Sequence, residues 1–380
     1  MRGCRSRFAM TSPIGEKLRL ARVARGWSLE ELGAAANITR QFGHQVETGA
    51  RLANEDMIKI FAEVLGVKPQ FFHIHNAMPV MPEQCHFRKQ QSTPLYLTSQ
   101  VLARGTLLDA LAGGLETAAR LPPINFPQHP VKDRNDIEHA AELCRRHWGL
   151  GLTTPITSMM RVVENAGAIV TYFEGVSERV DAFSMDRPRP IIVRSTLKES
   201  LCRQRFDLAH ECGHLVMHRG VATGDRATED QANRFASAFL LPRAGFANEF
   251  PAGAAMNWRA LYDMKLRWKV SVRAMIHRAY DLGILSAKLY RTANIHLMKT
   301  GQARSEKYDD TLPMEQPELL EGVLSALQSK KPQSLRQIAD QLGWDNGLFE
   351  FLTGRALPPP TARPPTADNV IPLSRSATKR

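Results

Sequence analysis

Cysteine is scarce in this 380-residue chain: Cys4, Cys85, Cys144, Cys202 and Cys212 are odd in number and scattered, and no CxxC occurs. That spacing argues against both a disulfide framework and a cysteine zinc site. No apolar run approaches the roughly 18 residues of a membrane span, so no membrane partner is expected. The opening MRGCRSRFAMTSP carries arginines but lacks the apolar segment of a signal peptide, and nothing in it directs export. No internal repeat is visible. Together these absences predict a soluble, cytoplasmic, reduced protein.

What is present is ordinary for a globular chain of two or three domains: 43% hydrophobic and 23% charged residues. Fifty basic against 38 acidic residues give a formal charge of +12, which favours polyanionic partners. The charge alone locates no site. Lys17, Arg19, Arg22 and Arg25 crowd one predicted helix, and a second basic run lies between Arg187 and Arg205.

From Ile14 to Phe72 the sequence predicts five short helices with clear punctuation. IGEKLRLARVARG stops at Gly26, and Ser28 with Glu31 then forms an S-x-x-E capping box that opens a second helix. Asn37 closes it, because asparagine tolerates the left-handed backbone of a tight inter-helix turn. TRQFGHQVETG supplies a third helix ending at Gly49, NEDMIKIFAEVLG a fourth, and a short fifth surrounds Phe71 and Phe72.

Residues 76–150 hold many prolines around helical stretches and read as a partly helical connector rather than a second core. Beyond 150 the pattern is mixed. SMMRVVENAG reads as helix, while AIVTYF, DAFSM and PIIV are short β-rich runs. Longer helices follow, then a small helical pair in SLRQIADQLGWDNGLFEFLTG, and beyond Leu357 a Pro-rich tail expected to be disordered.

The stretch RFDLAHECGHLVMH places His210 and His214 four residues apart on one helix face with Glu211 beside them. Two imidazoles so placed can hold one zinc ion (Zn2+), or can be satisfied polar groups in a core. A catalytic zinc needs a third protein ligand and leaves a fourth position for water, whose proton Glu211 would take. The metzincin continuation would put histidine at position 220, which is Gly220, and His218 reads as a neighbour rather than a ligand. The better candidate is Glu229 in TEDQANRFASAFLLP, where Thr228 and Gln231 suggest a T-x-x-Q capping box. Glu229 shares a face with Ala232, Ala236, Phe239 and Leu240, so its carboxylate points where burial is expected. The alternative is a solvated carboxylate that favours the helix dipole.

HECGHLVMH with EDQANRFASAFLLP, preceded by DAFSM and PIIV, resembles the ImmA/IrrE metallopeptidase family over roughly residues 151–285. The resemblance implies a minimal zincin-like fold, with His210, His214 and Glu229 as metal ligands and Glu211 as general base. Known members of that family cleave helix-turn-helix repressors. Cys212 replaces the usual aliphatic residue between the histidines and reads as a core filler.

The first five helices resemble the XRE, or Cro/C1-type, helix-turn-helix family, carried by WSLEELGAAANITRQFGHQVETG. This implies a lambda-repressor-like module whose third helix enters the major groove, with Thr39, Arg40, Gln41, His44 and Gln45 as readers. Gly43 stands where that helix usually has an aliphatic core residue, at a cost to helix stability of about 1 kcal/mol.

The expected organisation is therefore an extension at 1–12, a DNA-binding module at 13–75, the connector at 76–150, a metallopeptidase-like domain at 151–290, a helical region at 291–357 and a tail at 358–380. The fold class is mainly α with a small β-sheet (α+β). The expected function is a homodimeric transcriptional regulator that binds a double-stranded DNA operator and cleaves a repressor-type protein, or itself, in response to a signal. Two rivals are a regulator whose zincin-like domain only senses a ligand, and an antitoxin-like DNA-binding partner protein.

Overall fold

The computed structural model describes residues 13–74, 79–86, 94–176, 182–195, 200–221 and 223–359. The 1–12 extension and the tail from residue 360 lie outside them. The fold is mainly helical with one small sheet, as expected.

The N-terminal module is built from α1 (Pro13–Ala24), α2 (Leu29–Ala36), α3 (Arg40–Glu47) and α4 (Glu55–Leu65), followed by a 3-10 turn at Pro69–His73. Its punctuation follows the local chemistry. Glu31 N–H donates to Ser28 Oγ at 3.1 Å, and Ser28 N–H donates to Glu31 Oε2 at 2.6 Å, so both halves of the capping box are made. Asn37 adopts φ 51°, the left-handed turn, and Thr39 caps α3 by accepting from Phe42 N–H. Inside the module the buried Arg22 guanidinium pairs with Glu47 at 2.5 Å and ties α1 to α3.

The stretch read as a connector contains α5 (Leu95–Ala118) and α6 (Arg134–His147). α5 is a core helix. Leu97, Val101, Leu107, Leu108, Leu111 and Leu115 are buried together with Gln100, Arg104 and Thr106, so the middle of the helix, residues 103–108, is enclosed on all sides. It packs against α1 on one side and the sheet on the other: an added Cβ at Gly105 would meet Met185 at 2.4 Å.

α7 (Met159–Asn165) leads into β1 (Ile169–Thr171), β2 (Phe183–Met185) and β3 (Ile191–Val193). β3 is central, parallel to β1 and antiparallel to β2, with Met185 opposite Ile191 and Ser184 opposite Ile192. Side chains alternate across a strand, so each strand serves two faces. Phe183, Met185, Ile191 and Val193 join the N-terminal module and α5 in one core, whereas Val170 and Ile192 face a second core. Ser184 is left on the second side. The sheet is thus the wall between two cores.

The second core contains α6, α7, α8 (Leu201–Met217), α9 (Arg226–Leu240), α10 (Arg243–Glu249), α11 (Trp258–Trp268), α12 (Val272–Asp281) and α13 (Ala287–Lys299). α9 is capped by Asp225, whose carboxylate accepts from Ala227 and Thr228 N–H at 2.8 and 2.9 Å. The expected Thr228–Gln231 box is therefore not formed: Asp225 already takes the Thr228 N–H, and Gln231 Oε1 turns to His218 Nε2.

The chain returns to its beginning through α14 (Leu319–Lys330), α15 (Pro332–Leu342) and α16 (Asn346–Thr353). Val67 pairs with Trp344 in an antiparallel bridge, Lys68 N–H donates to Gly343 O at 2.8 Å, and the Lys68 ammonium pairs with Asp340. Gly343 has φ 70° and lies against the Phe71 backbone, which an added Cβ would meet at 2.6 Å; only glycine fits there. This pair also repeats the geometry of α2 and α3: a left-handed residue, a nonpolar residue, a side-chain cap (Asp345) and an eight-residue helix followed within two residues by a left-handed glycine. The similarity escapes the sequence because few residues coincide. No described helix is long and apolar enough to cross a membrane.

Candidate metal centre and nucleic-acid interface

α8 and α9 approach closely because Gly213 has no side chain; a Cβ there would meet the Phe235 ring at 2.9 Å. That contact sets His210 and His214 of α8 against Glu229 of α9. The two imidazole Nε2 atoms lie 3.1 Å apart, and carboxylate oxygens of Glu229 lie 3.4 Å from His210 Nε2 and 3.5 Å from His214 Nε2. Ligands of a tetrahedral zinc at about 2.0–2.1 Å sit about 3.4 Å from one another. Glu229 is 9% exposed, so its carboxylate is not a solvated surface group.

Hydrogen bonds behind the rings fix which nitrogens face inward. His210 Nδ1 meets Asn233 Oδ1 at 3.0 Å, an acceptor that requires the proton on Nδ1. His218 Nε2 meets Gln231 Oε1 at 2.7 Å, which leaves His218 Nδ1 to accept from His214 Nδ1 at 2.9 Å. Both Nε2 lone pairs then point at each other and at a carboxylate. Three potential ligand atoms, two imidazole nitrogens and a carboxylate oxygen, thus converge on one point, an arrangement that suits a cation.

The two histidines shift in opposite directions. Burial pulls His210 down, yet Glu229 and Glu211 raise it overall. His214, dominated by burial, falls to about 4, the neutral form a ligand needs. Burial opposes ionisation of Glu229, but its bonds to His210 and His214 hold it well below the usual carboxylate range.

Glu211 is 2% exposed and accepts from Ser184 Oγ at 2.7 Å. Ser184 can reach it because the β2 pleat turns that one residue to the second core. Burial pushes Glu211 up to about 8, with His210 and Ser184 acting against it. Cys212 lies on the opposite side of α8, fully buried, and burial raises its thiol strongly.

One residue at this site gave no sequence signal. His86, from the proline-rich stretch before α5, is 2% exposed and stacks on His214 with ring centroids 4.9 Å apart and planes 6° from parallel. Its Nδ1 meets Thr223 Oγ1 at 2.8 Å. A lone histidine between prolines has neither motif spacing nor periodicity to mark it.

The second candidate surface is α3. Thr39, Arg40, Gln41 and His44 are exposed, and Gln45 is half-buried, so the predicted readers share one accessible face. Arg40 pairs with Glu30 at 3.0 Å across the turn, both side chains mostly in solvent. Gly43 is buried, but a Cβ there would meet Leu29, Ile38 and Leu32 only at 3.6–3.8 Å.

Comparison with known families identifies two stretches of the chain. Residues 13–70 match the helix-turn-helix domain family, and residues 163–280 match a peptidase family described as the IrrE N-terminal-like domain. No curated protein matches the chain. The protein thus joins an N-terminal helix-turn-helix domain to an IrrE-like domain, as the sequence motifs imply.

Proposed function

We propose that this protein is an XRE-type transcription regulator whose IrrE-like domain is a zinc-dependent endopeptidase acting on a repressor-type protein or on the chain itself. The observation that carries the reading is the convergence of His210 Nε2, His214 Nε2 and the Glu229 carboxylate beside a buried Glu211. Zinc, when bound, supplies Lewis-acid polarisation of a peptide carbonyl and acidifies water.

The chain's own groups do the rest. Glu211 takes the proton of the attacking water as its oxygen forms the bond to the carbonyl carbon. Ser184, donating to Glu211 Oε2, holds the carboxylate in one orientation. As the C–N bond breaks, Glu211 returns the proton to the leaving amine. Asn233, His218 and Gln231 keep both ligand rings in the required tautomer. On the DNA side, a cytoplasmic homodimer places two α3 helices in successive major grooves, on half-sites about one helical turn apart.

Glu211→Gln tests the enzymatic part, since it preserves size and metal ligands while removing the base. Wild type incubated with a candidate repressor, or alone under the inducing condition, is expected to give fragments that the variant and a chelated sample do not. DNA binding by the uninduced variant stays unchanged. Normal derepression of target genes by Glu211→Gln would sink the enzymatic account.

A further inference from the structure

β2 is an edge strand of the three-stranded sheet, and its outer side is taken by the chain itself. Cys85 bridges Met185 antiparallel; Asp186 N–H donates to Gln84 O at 2.7 Å, and His86 N–H donates to Ser184 O at 2.9 Å. The backbone carbonyl that receives His86 belongs to the residue whose hydroxyl holds Glu211. Any extended peptide paired to this edge therefore runs past the base and the His210–His214–Glu229 cluster. An unpaired edge is a ready template for such a peptide.

We infer that residues 84–86 are an internal occupant of the peptide cleft, and that His86 closes the metal centre until this segment leaves. The inference rests on the endopeptidase reading. Three features distinguish the segment from a permanent strand. It makes one bridge and two ladder bonds, less than any of the three strands. His86 carries a cost, because its Nε2 is buried without a hydrogen-bond partner among the described residues. Its ring lies parallel to the His214 imidazole with centroids 4.9 Å apart, so it fills space directly beside the cluster that a peptide on this edge would need.

The segment is also tethered to the helix that carries the DNA-binding module. Val80 N–H donates to Thr106 Oγ1 of α5 at 2.9 Å, and Gln84 Oε1 accepts from Arg187, whose guanidinium also pairs with Asp109 of α5 at 2.6 Å. A shift of α5 thus reaches the cleft through residues 80–86.

The test uses the full chain loaded with Co2+, whose visible bands report coordination, and acetohydroxamate as a metal-seeking probe. Wild type is expected to bind the probe weakly, and His86→Ala about tenfold or more tightly at unchanged cobalt content, because the competent state is no longer a minor one. Thr223→Val, which removes the hydroxyl at His86 Nδ1, moves in the same direction. Cys85 is 4% exposed, which makes it a second reporter independent of metal. Its alkylation by iodoacetamide, mapped by mass spectrometry, should accelerate about tenfold in His86→Ala, while Cys212 stays unreactive and reports an intact fold. Equal probe affinity and equal Cys85 labelling in variant and wild type overturn the inference. Loss of cobalt in His86→Ala also overturns it, by making His86 a ligand. If neither protein takes up cobalt, the metalloenzyme reading fails, and Cys85 labelling alone decides whether the segment opens.

Discussion

Arg104 of α5 donates from Nε to the carbonyl oxygen of Ala24 at 2.8 Å, at the last turn of α1. The same guanidinium donates to Glu174 O at 2.7 Å, just beyond β1, so one buried side chain spans the DNA-binding module and the sheet. Burial lowers it to about 10, still charged at neutral pH. Arg104→Met leaves both carbonyls short of a donor, at about 1–3 kcal/mol each. Denaturant unfolding should show a loss of about 2–6 kcal/mol on this basis; a change within error would mean that other donors replace it.

Arg40→Ala should separate recognition from stability. Its ion pair with Glu30 is exposed on both sides and contributes little to folding. A lost base contact costs about 1–3 kcal/mol in discrimination. Operator affinity is expected to fall about 5- to 150-fold, with weak non-specific binding nearly preserved. A parallel fall in both at fixed salt would remove Arg40 from the readers.

Glu229→Gln and His218→Ala should weaken metal binding to different extents. The first replaces a charged ligand candidate with a neutral amide. The second removes only the partner that fixes the His214 tautomer, and such changes typically cost about 10- to 100-fold in affinity. Competition with a chromophoric chelator ranks them. A larger loss in His218→Ala would reverse the assignment.

Gly43→Ala should stabilise the N-terminal module by about 0.5–1 kcal/mol, since alanine is the better helix former and the added methyl meets its neighbours at ordinary distances. Thermal unfolding would show it. A destabilised variant would mean that α3 needs the gap.

Trp344→Ala should be severe. The ring is 1% exposed beneath the bridge to Val67, and truncating a buried aromatic costs about 3–5 kcal/mol. Loss of helix-turn-helix stability from a substitution so far along the chain would confirm that α15 and α16 complete that module. A cost below about 1 kcal/mol would show that they merely rest on it.

The parts legible in the sequence were those decided within a few residues. Ser28, Glu31 and Asn37 act on their own turns, and His210 with His214 share a face by helical spacing alone. Glu229 was reachable because an apolar face carried one carboxylate. What depended on distant partners was not legible. α5 is buried all round through its middle turns and so shows no amphipathic stripe, although it joins α1, α15 and the sheet in one core. Thr228 and Gln231 have a cap's spacing, but Asp225 outcompetes one and His218 engages the other. His86 has no local signature because its partners, Thr223 and His214, come from elements far along the chain.

The bond between Lys68 and Asp340 joins residues 272 positions apart. During synthesis at about 5–20 residues per second, the N-terminal helices wait roughly 15–50 s for the helices that cover them. Throughout that interval Leu65, Phe71 and Phe72 lack their final neighbours, and α3 already presents its exposed face. A nascent chain still on the ribosome therefore differs from the finished one, and a chain ending before α15 lacks the cover that Gly343 and Trp344 lay over Val67 and Phe71.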